Sequence, residues 1–241
     1  TSPPDENNLA SEVLILKRPP QKPMTTKLVN CLASLLARIF PDVGTRSVLF
    51  GVHAVWWHGF TVVLAWRKLY GRWPHWHEFI PAMIHDVSYW GKPNMDGPEG
   101  RLHPEGGAKL TARVVMFFKA AYLRFRTRGR PESKAGALYY ALNAALNSYW
   151  MSLYHSREYA MMKGEEPSPL CWADKLSVIY EPAWFYILRA RLSGELVEFK
   201  ARAADKLGPV SDFEWLRWYR GRVRGWVEKL PADYVERIRR S

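Results

Sequence analysis

Apolar residues recur at three- and four-residue intervals over most of the chain, a spacing that predicts helices. Leu28, Leu32, Leu35, Leu36 and Ile39 form the first stripe, which starts at Thr25 and is stopped by Pro41. A second predicted helix covers 47–70 and ends at Gly71. A third covers 75–90, running through Phe79, Ile80, Met83, Ile84 and Val87 to Gly91-Lys92-Pro93. Eight glycines and prolines then make 91–107 a loop, of a length that is usually functional or disordered. Helices resume over 107–127, 132–163, 168–192, 193–207, 211–228 and 231–239. Ser168 is placed to cap one of them, with Pro169 at its first position. No stretch alternates with a period of two and no repeat is present, so the expected fold is all-α in a single domain.

Within that domain three parts differ in composition. Residues 1–23 read as a polar, proline-rich arm with a short extended piece at Val13–Leu16, without the apolar core of a signal peptide. Residues 24–192 form the main helical body. Residues 193–241 form a basic, aromatic helical extension packed on it. The stretch 47–66 is nearly uncharged and as long as a membrane span, but it contains His53, His58 and three tryptophans. It therefore reads as a buried helix, and the expectation is a cytoplasmic protein with no membrane partner.

Composition sharpens this only in part. Hydrophobic residues make up 48% of 241, which excludes wholesale disorder. Cys31 and Cys171 are too few for a disulfide framework and read as buried and inert. Lys plus Arg number 35 against 23 for Asp plus Glu, a net +12 that favours anionic partners. The arginines cluster beside aromatics at Trp215, Trp218, Tyr219, Arg220, Arg222, Arg224 and Trp226. Such a segment either stacks bases and contacts phosphates or packs its tryptophans on the domain and solvates its arginines. A second basic cluster, Arg124–Arg130, is expected to serve solubility.

The chemistry lies in the histidines and two aspartates. His85-Asp86 follows an apolar run directly. His58 and Asp174 each lie in an apolar helical stretch, where an unpaired imidazole or carboxylate is costly. His103 lies in the glycine- and proline-rich loop, and His155 in Tyr-His-Ser-Arg. His53 and His58 are five apart, which on a regular helix puts them about 140° off a common face. His58 is the preferred ligand and His53 a core or supporting group. His75 and His77 read as an exposed helix start.

In this order, His58, then His85-Asp86, then Asp174, the sequence resembles the HD-domain metal-dependent phosphohydrolase superfamily, most closely members of bacterial and phage type. The separation of 27 between His58 and His85 suits that family's first ligand and its His-Asp pair, and the resemblance covers about 45–180. It implies an HD helical bundle holding one or two divalent transition ions (Mn, Fe, Co, Ni or Zn). His58, His85, Asp86 and Asp174 would be ligands, His103 and His155 the pair that holds a second ion, and Asp86 the bridge. It also implies hydrolysis of a nucleotide at a phosphomonoester or phosphoanhydride bond by a water that the metal activates. Neighbouring residues supply candidate helpers: Lys92, Arg157 and Lys175 for phosphate oxygens, Asp96 and Glu99 for water or proton transfer. Three other outcomes stay open. They are a nuclease or cyclic-oligonucleotide phosphodiesterase whose strand lies on the basic C-terminal region, a di-iron oxygenase, and a non-catalytic nucleic-acid-binding module. Oligomeric state is not legible.

Overall fold

A computed structural model describes residues 24–126 and 134–241, and the arm 1–23 lies outside them. The described residues form twelve α-helices and no strand. They are α1 (Met24–Ile39), α2 (Val43–Phe50), α3 (Val55–Tyr70), α4 (Trp76–Ile84), α5 (His103–Arg126) and α6 (Lys134–Leu153). After these come α7 (Arg157–Met162), α8 (Pro169–Tyr180), α9 (Ala183–Ser193), α10 (Glu195–Leu207), α11 (Asp212–Glu228) and α12 (Ala232–Arg240). The all-α expectation holds.

At the centre α3 packs on α8 and α4, burying Val62, Trp66, Tyr70, Ala82, Leu170 and Ala173 together. A second core joins the C-terminal helices to the body: Leu176, Ile187, Leu196, Trp215, Leu216 and Val223 are buried in one cluster. Burial at roughly 25 cal/mol per Å² of apolar surface accounts for why α10 and α11 pack there. α5 and α6 form a long antiparallel pair resting on α4.

Four predicted helices are interrupted. The helix expected over 47–70 breaks at Gly51–Ala54. The opened backbone is served from far along the chain: the buried Glu195 accepts the Val52 N–H (2.7 Å), and buried Arg189 donates to the Gly51 carbonyl (2.6 Å). The helix expected over 75–90 ends at Ile84, and Val87–Tyr89 is a separate 3-10 turn. That expected over 132–163 stops at Leu153 and restarts after Ser156, which caps α7. That expected over 168–192 breaks at Glu181-Pro182, because the residue before a proline is driven out of helical geometry. The expected loop 91–107 is shorter, since the chain turns helical at Gly100–Leu102 and α5 starts at His103.

Gly107 allows α5 to begin there. A Cβ at this position would stand 2.1 Å from the His85 carbonyl oxygen, so only glycine lets α5 cross the end of α4 so closely. Gly107→Ala is expected to destabilise the fold by about 1–3 kcal/mol, the usual cost of overpacking. Urea denaturation checks this; an unchanged midpoint would show that the crossing has slack. Cys171 is buried, and that burial pushes its thiol up to about 12, but Cys31 is exposed on α1, against expectation.

Candidate metal centre

Six side chains from five separate places in the chain converge on one buried spot. His58 comes from the first turn of α3, His85 and Asp86 from the end of α4, and His103 from the start of α5. His155 comes from the gap after α6, and Asp174 from the middle of α8. All six are at least nine-tenths buried.

Asp86 divides them into two sets. Its Oδ2 lies 3.0 Å from His85 Nε2 and 3.2 Å from His58 Nε2, and Asp174 Oδ1 is 3.0 Å from that same His58 nitrogen. Its Oδ1 lies 3.2 Å from His155 Nε2 and 3.4 Å from His103 Nε2, two nitrogens that are 2.9 Å from each other. Donor atoms that share one ion at bonds of about 2.1 Å stand roughly 3.0–3.4 Å apart. Within each set all donor atoms lie within 4.8 Å of one another.

The tautomers point the same way. His85, His103 and His155 each place Nδ1 on a backbone carbonyl, of Pro81 (3.0 Å), Gly100 (2.7 Å) and Ser152 respectively. A donating Nδ1–H leaves the Nε2 lone pair directed into the centre, as in protein metal sites. His58 Nε2 and His85 Nε2 are buried without a hydrogen bond, since the carboxylates beside them are not aligned to accept one. A divalent ion fits this donor set. Imidazole with carboxylate suits Mn, Fe, Co, Ni or Zn, and the arrangement has room for one ion or two.

Electrostatics also favour a cation. Burial opposes ionisation of Asp86, but the charges of His85 and His53 and the imidazoles of His103 and His155 hold it well below the usual carboxylate range. Asp174 is likewise held low against burial, chiefly by Lys175, then by His58 and His85. Burial works against charge on His58 and His85 too, yet the two carboxylates outweigh it and push both up, His85 to about 10. Burial and the neighbouring His155 push His103 down to about 4. Two buried carboxylates thus demand positive charge, which either two imidazolium protons or one divalent ion supplies.

No protein-family model, curated protein or solved structure matches the chain. The centre has to be judged on its own geometry.

Around it lies a cavity of about 760 Å³, lined by His53, His58, Asp86, His103, His155 and Asp174 at its floor. That volume falls within the usual range for small-molecule sites. Arg157 and Lys175, expected to bind phosphate, both line it, but Lys175 is tied to Asp174 Oδ2 at 2.7 Å and serves that carboxylate. Asp96 lines it as well, paired with Arg202 at 2.9 Å. The structure does not bring Lys92 and Glu99 to the cavity wall. The Lys92 carbonyl accepts the Gly44 N–H, which seats that turn on α2, while exposed Glu99 accepts from the Asn94 side chain at 2.6 Å within its own loop.

The structure brings to the cavity residues that the sequence did not place there. His53 stands in the break between α2 and α3, its Nε2 4.0 Å from Asp86 Oδ2 and its Nδ1 2.7 Å from Glu195 Oε1. Glu195 is fully buried and held low by His53, Ser193 and the Val52 N–H. The 140° objection to His53 fails because the two histidines do not share a helix. From α11, Trp218, Tyr219, Arg222 and Trp226 form part of the cavity wall. Arg222 lies over both Trp218 (5.1 Å) and Trp226 (5.3 Å), and Arg157 lies 4.8 Å over Trp226. The packing reading of the C-terminal segment holds for Trp215, which is buried in the core, while the next turns of α11 face the cavity. His75 and His77 lie at the start of α4, where Glu78 accepts the His75 N–H, away from the centre.

Proposed function

We propose that the chain is an HD-type metal-dependent phosphohydrolase acting on a nucleotide at a phosphomonoester or phosphoanhydride bond. The observation that carries this reading is Asp86, whose two oxygens each face a different set of imidazoles, as a carboxylate bridging two ions must. His58, His85, Asp86 and Asp174 would hold one ion, and Asp86, His103 and His155 a second. When bound, such ions supply Lewis acidity for phosphate oxygens and lower the pKa of water.

The chain's own groups do the rest. Arg157 and Arg222 face the cavity as cations for phosphate oxygens. Arg222 lies over Trp218 and Trp226 and Arg157 over Trp226, so a base would stack on those rings in place of the guanidiniums as they turn to its phosphates. Glu195 orients His53 by accepting from Nδ1, so Nε2 is the atom that gives a proton to the leaving oxygen or takes one from water. Walls from α7, α10 and α11 enclose a volume suited to a mononucleotide better than to a strand, so mononucleotide hydrolysis ranks above nuclease action.

A substrate panel tests this. Hydrolysis of nucleoside phosphates by metal-reconstituted protein is expected, and Trp226→Ala should raise their KM roughly tenfold or more, since base stacking contributes about 1–3 kcal/mol. A phosphate ester without a base should keep its KM. Activity confined to oligonucleotides would favour the nuclease reading, and iron-dependent dioxygen uptake without phosphate release would favour an oxygenase. Binding without turnover, untouched by Asp86→Ala, would leave a binding module.

A further inference from the structure

We propose that the outer half of the α5–α6 pair is a docking surface for an anionic lipid bilayer. Among the described side chains the last buried residue on α5 is Val115 and the first on α6 is Ala141, so the eleven residues 116–126 project about 16 Å past the packed body. The projecting part carries large apolar side chains into solvent: Phe117 is 68% exposed, Phe125 76% and Tyr140 64%. Leu138, Leu142 and Leu146 continue the exposure along α6 at four-residue spacing. Contiguous apolar exposure of this kind marks an interaction site.

Charge selects the occupant. Between residues 106 and 156 the sequence holds eight Lys or Arg and one acidic residue, Glu132. Arg124 and Arg126 are exposed among the aromatics, and Lys119 reaches over the rings of Trp76 and Tyr122. Aromatic and aliphatic side chains beside basic ones is the composition of a helix surface that lies in a membrane interface. A second copy of the chain would bring two like-charged faces together. A nucleic acid would match the charge, but the leucine row has no ring face to stack on a base. The expectation of no membrane partner rested on the lack of a spanning run, and no single described helix is long and apolar enough to cross a bilayer. Docking at the surface requires none. The inner end of α5 carries His103 and His155 follows the inner end of α6, which places the centre about one α5 length, roughly 36 Å, from a bilayer at the tip.

The test is flotation of the full chain with vesicles of phosphatidylcholine containing one third phosphatidylglycerol, with pure phosphatidylcholine beside them. Binding is expected to the anionic vesicles only and to weaken with salt. Each basic residue near such a surface contributes roughly a fivefold gain in partition, so Arg124→Glu with Arg126→Glu should lower it more than tenfold. Phe117→Ser with Phe125→Ser should do the same. Both pairs are exposed, and metal content and thermal midpoint should match the parent protein. Three results with the vesicles overturn the proposal, and a fourth comes from an oligonucleotide. The three are no flotation with anionic vesicles at low salt, flotation that neither pair reduces, and a solution dimer dissociated by the phenylalanine pair without vesicle binding. Tight binding of a single-stranded oligonucleotide that vesicles do not displace would overturn it in favour of nucleic acid. None of these outcomes depends on what the metal centre hydrolyses.

Discussion

Asp86→Ala is expected to strip the protein of transition metal altogether and to take hydrolysis with it. Both carboxylate oxygens are engaged, Oδ2 toward His58 and His85, Oδ1 toward His103 and His155, so one substitution removes a donor from each set. Removing one preorganised electrostatic group at a reacting centre costs on the order of 10²–10³ in turnover, and losing the ions that such groups hold costs more. His103→Ala affects only the second set; if two ions bind, metal content should fall by about half. Elemental analysis of the three proteins after reconstitution measures this. Breaking up a buried charged cluster also costs about 3–5 kcal/mol, so circular dichroism and the shape-preserving Asp86→Asn are needed beside it. Asp86→Asn protein that folds and still retains its full complement of metal would sink the bridging role.

His53→Gln should lower turnover by about 10²–10⁴, the range of a lost general acid or base, while metal content stays at the parent level. His53 is not needed to complete either donor set; it stands 4.0 Å from Asp86 with its far nitrogen on Glu195. The readout that separates proton transfer from mere packing is the leaving group. Nitrophenolate leaves nitrophenyl phosphate as a stable anion and needs little protonation, so that rate should fall far less than the rate with a nucleoside monophosphate, whose sugar oxygen leaves as an alkoxide. Glu195→Gln should reproduce the pattern in weaker form, because the glutamine still meets Nδ1 but no longer favours a proton there. An equal loss for every leaving group, or a loss of metal, would assign His53 to structure alone.

The two arguments draw unequally on the sequence. His58, His85-Asp86 and Asp174 stand out in one dimension because each is a polar group inside an apolar helical run, where burial is costly unless something compensates. His53 lies in the same apolar run as His58, but helix geometry sets it aside. The periodicity of 47–70 reads as one unbroken helix, and on that helix His53 points away from His58. Its position depends on a break held open by Glu195 and Arg189, both more than a hundred residues downstream. Similar breaks deliver His85-Asp86 and His155, so three of the predicted helices are interrupted at residues that feed the centre. Gly51 at the first break and Pro182 at the fourth are breakers that the apolar periodicity overrides. Lys92 and Glu99 show the converse error, since adjacency along the chain does not put a side chain on the same wall as its neighbour.

What the sequence determined by itself was the helical class, most helix ends, the buried polar positions at His58, His85, Asp86 and Asp174, and the excess of positive charge. These follow from local spacing, proline and glycine, and the cost of burying a carboxylate. The tertiary structure alone decided which histidines share a carboxylate, that α11 turns its Trp-Arg face toward the centre, and that the outer half of α5–α6 stands clear of the body. Each of those depends on contacts between residues far apart in the chain, and hydrophobic periodicity records only which face of a helix is buried, never what it is buried against.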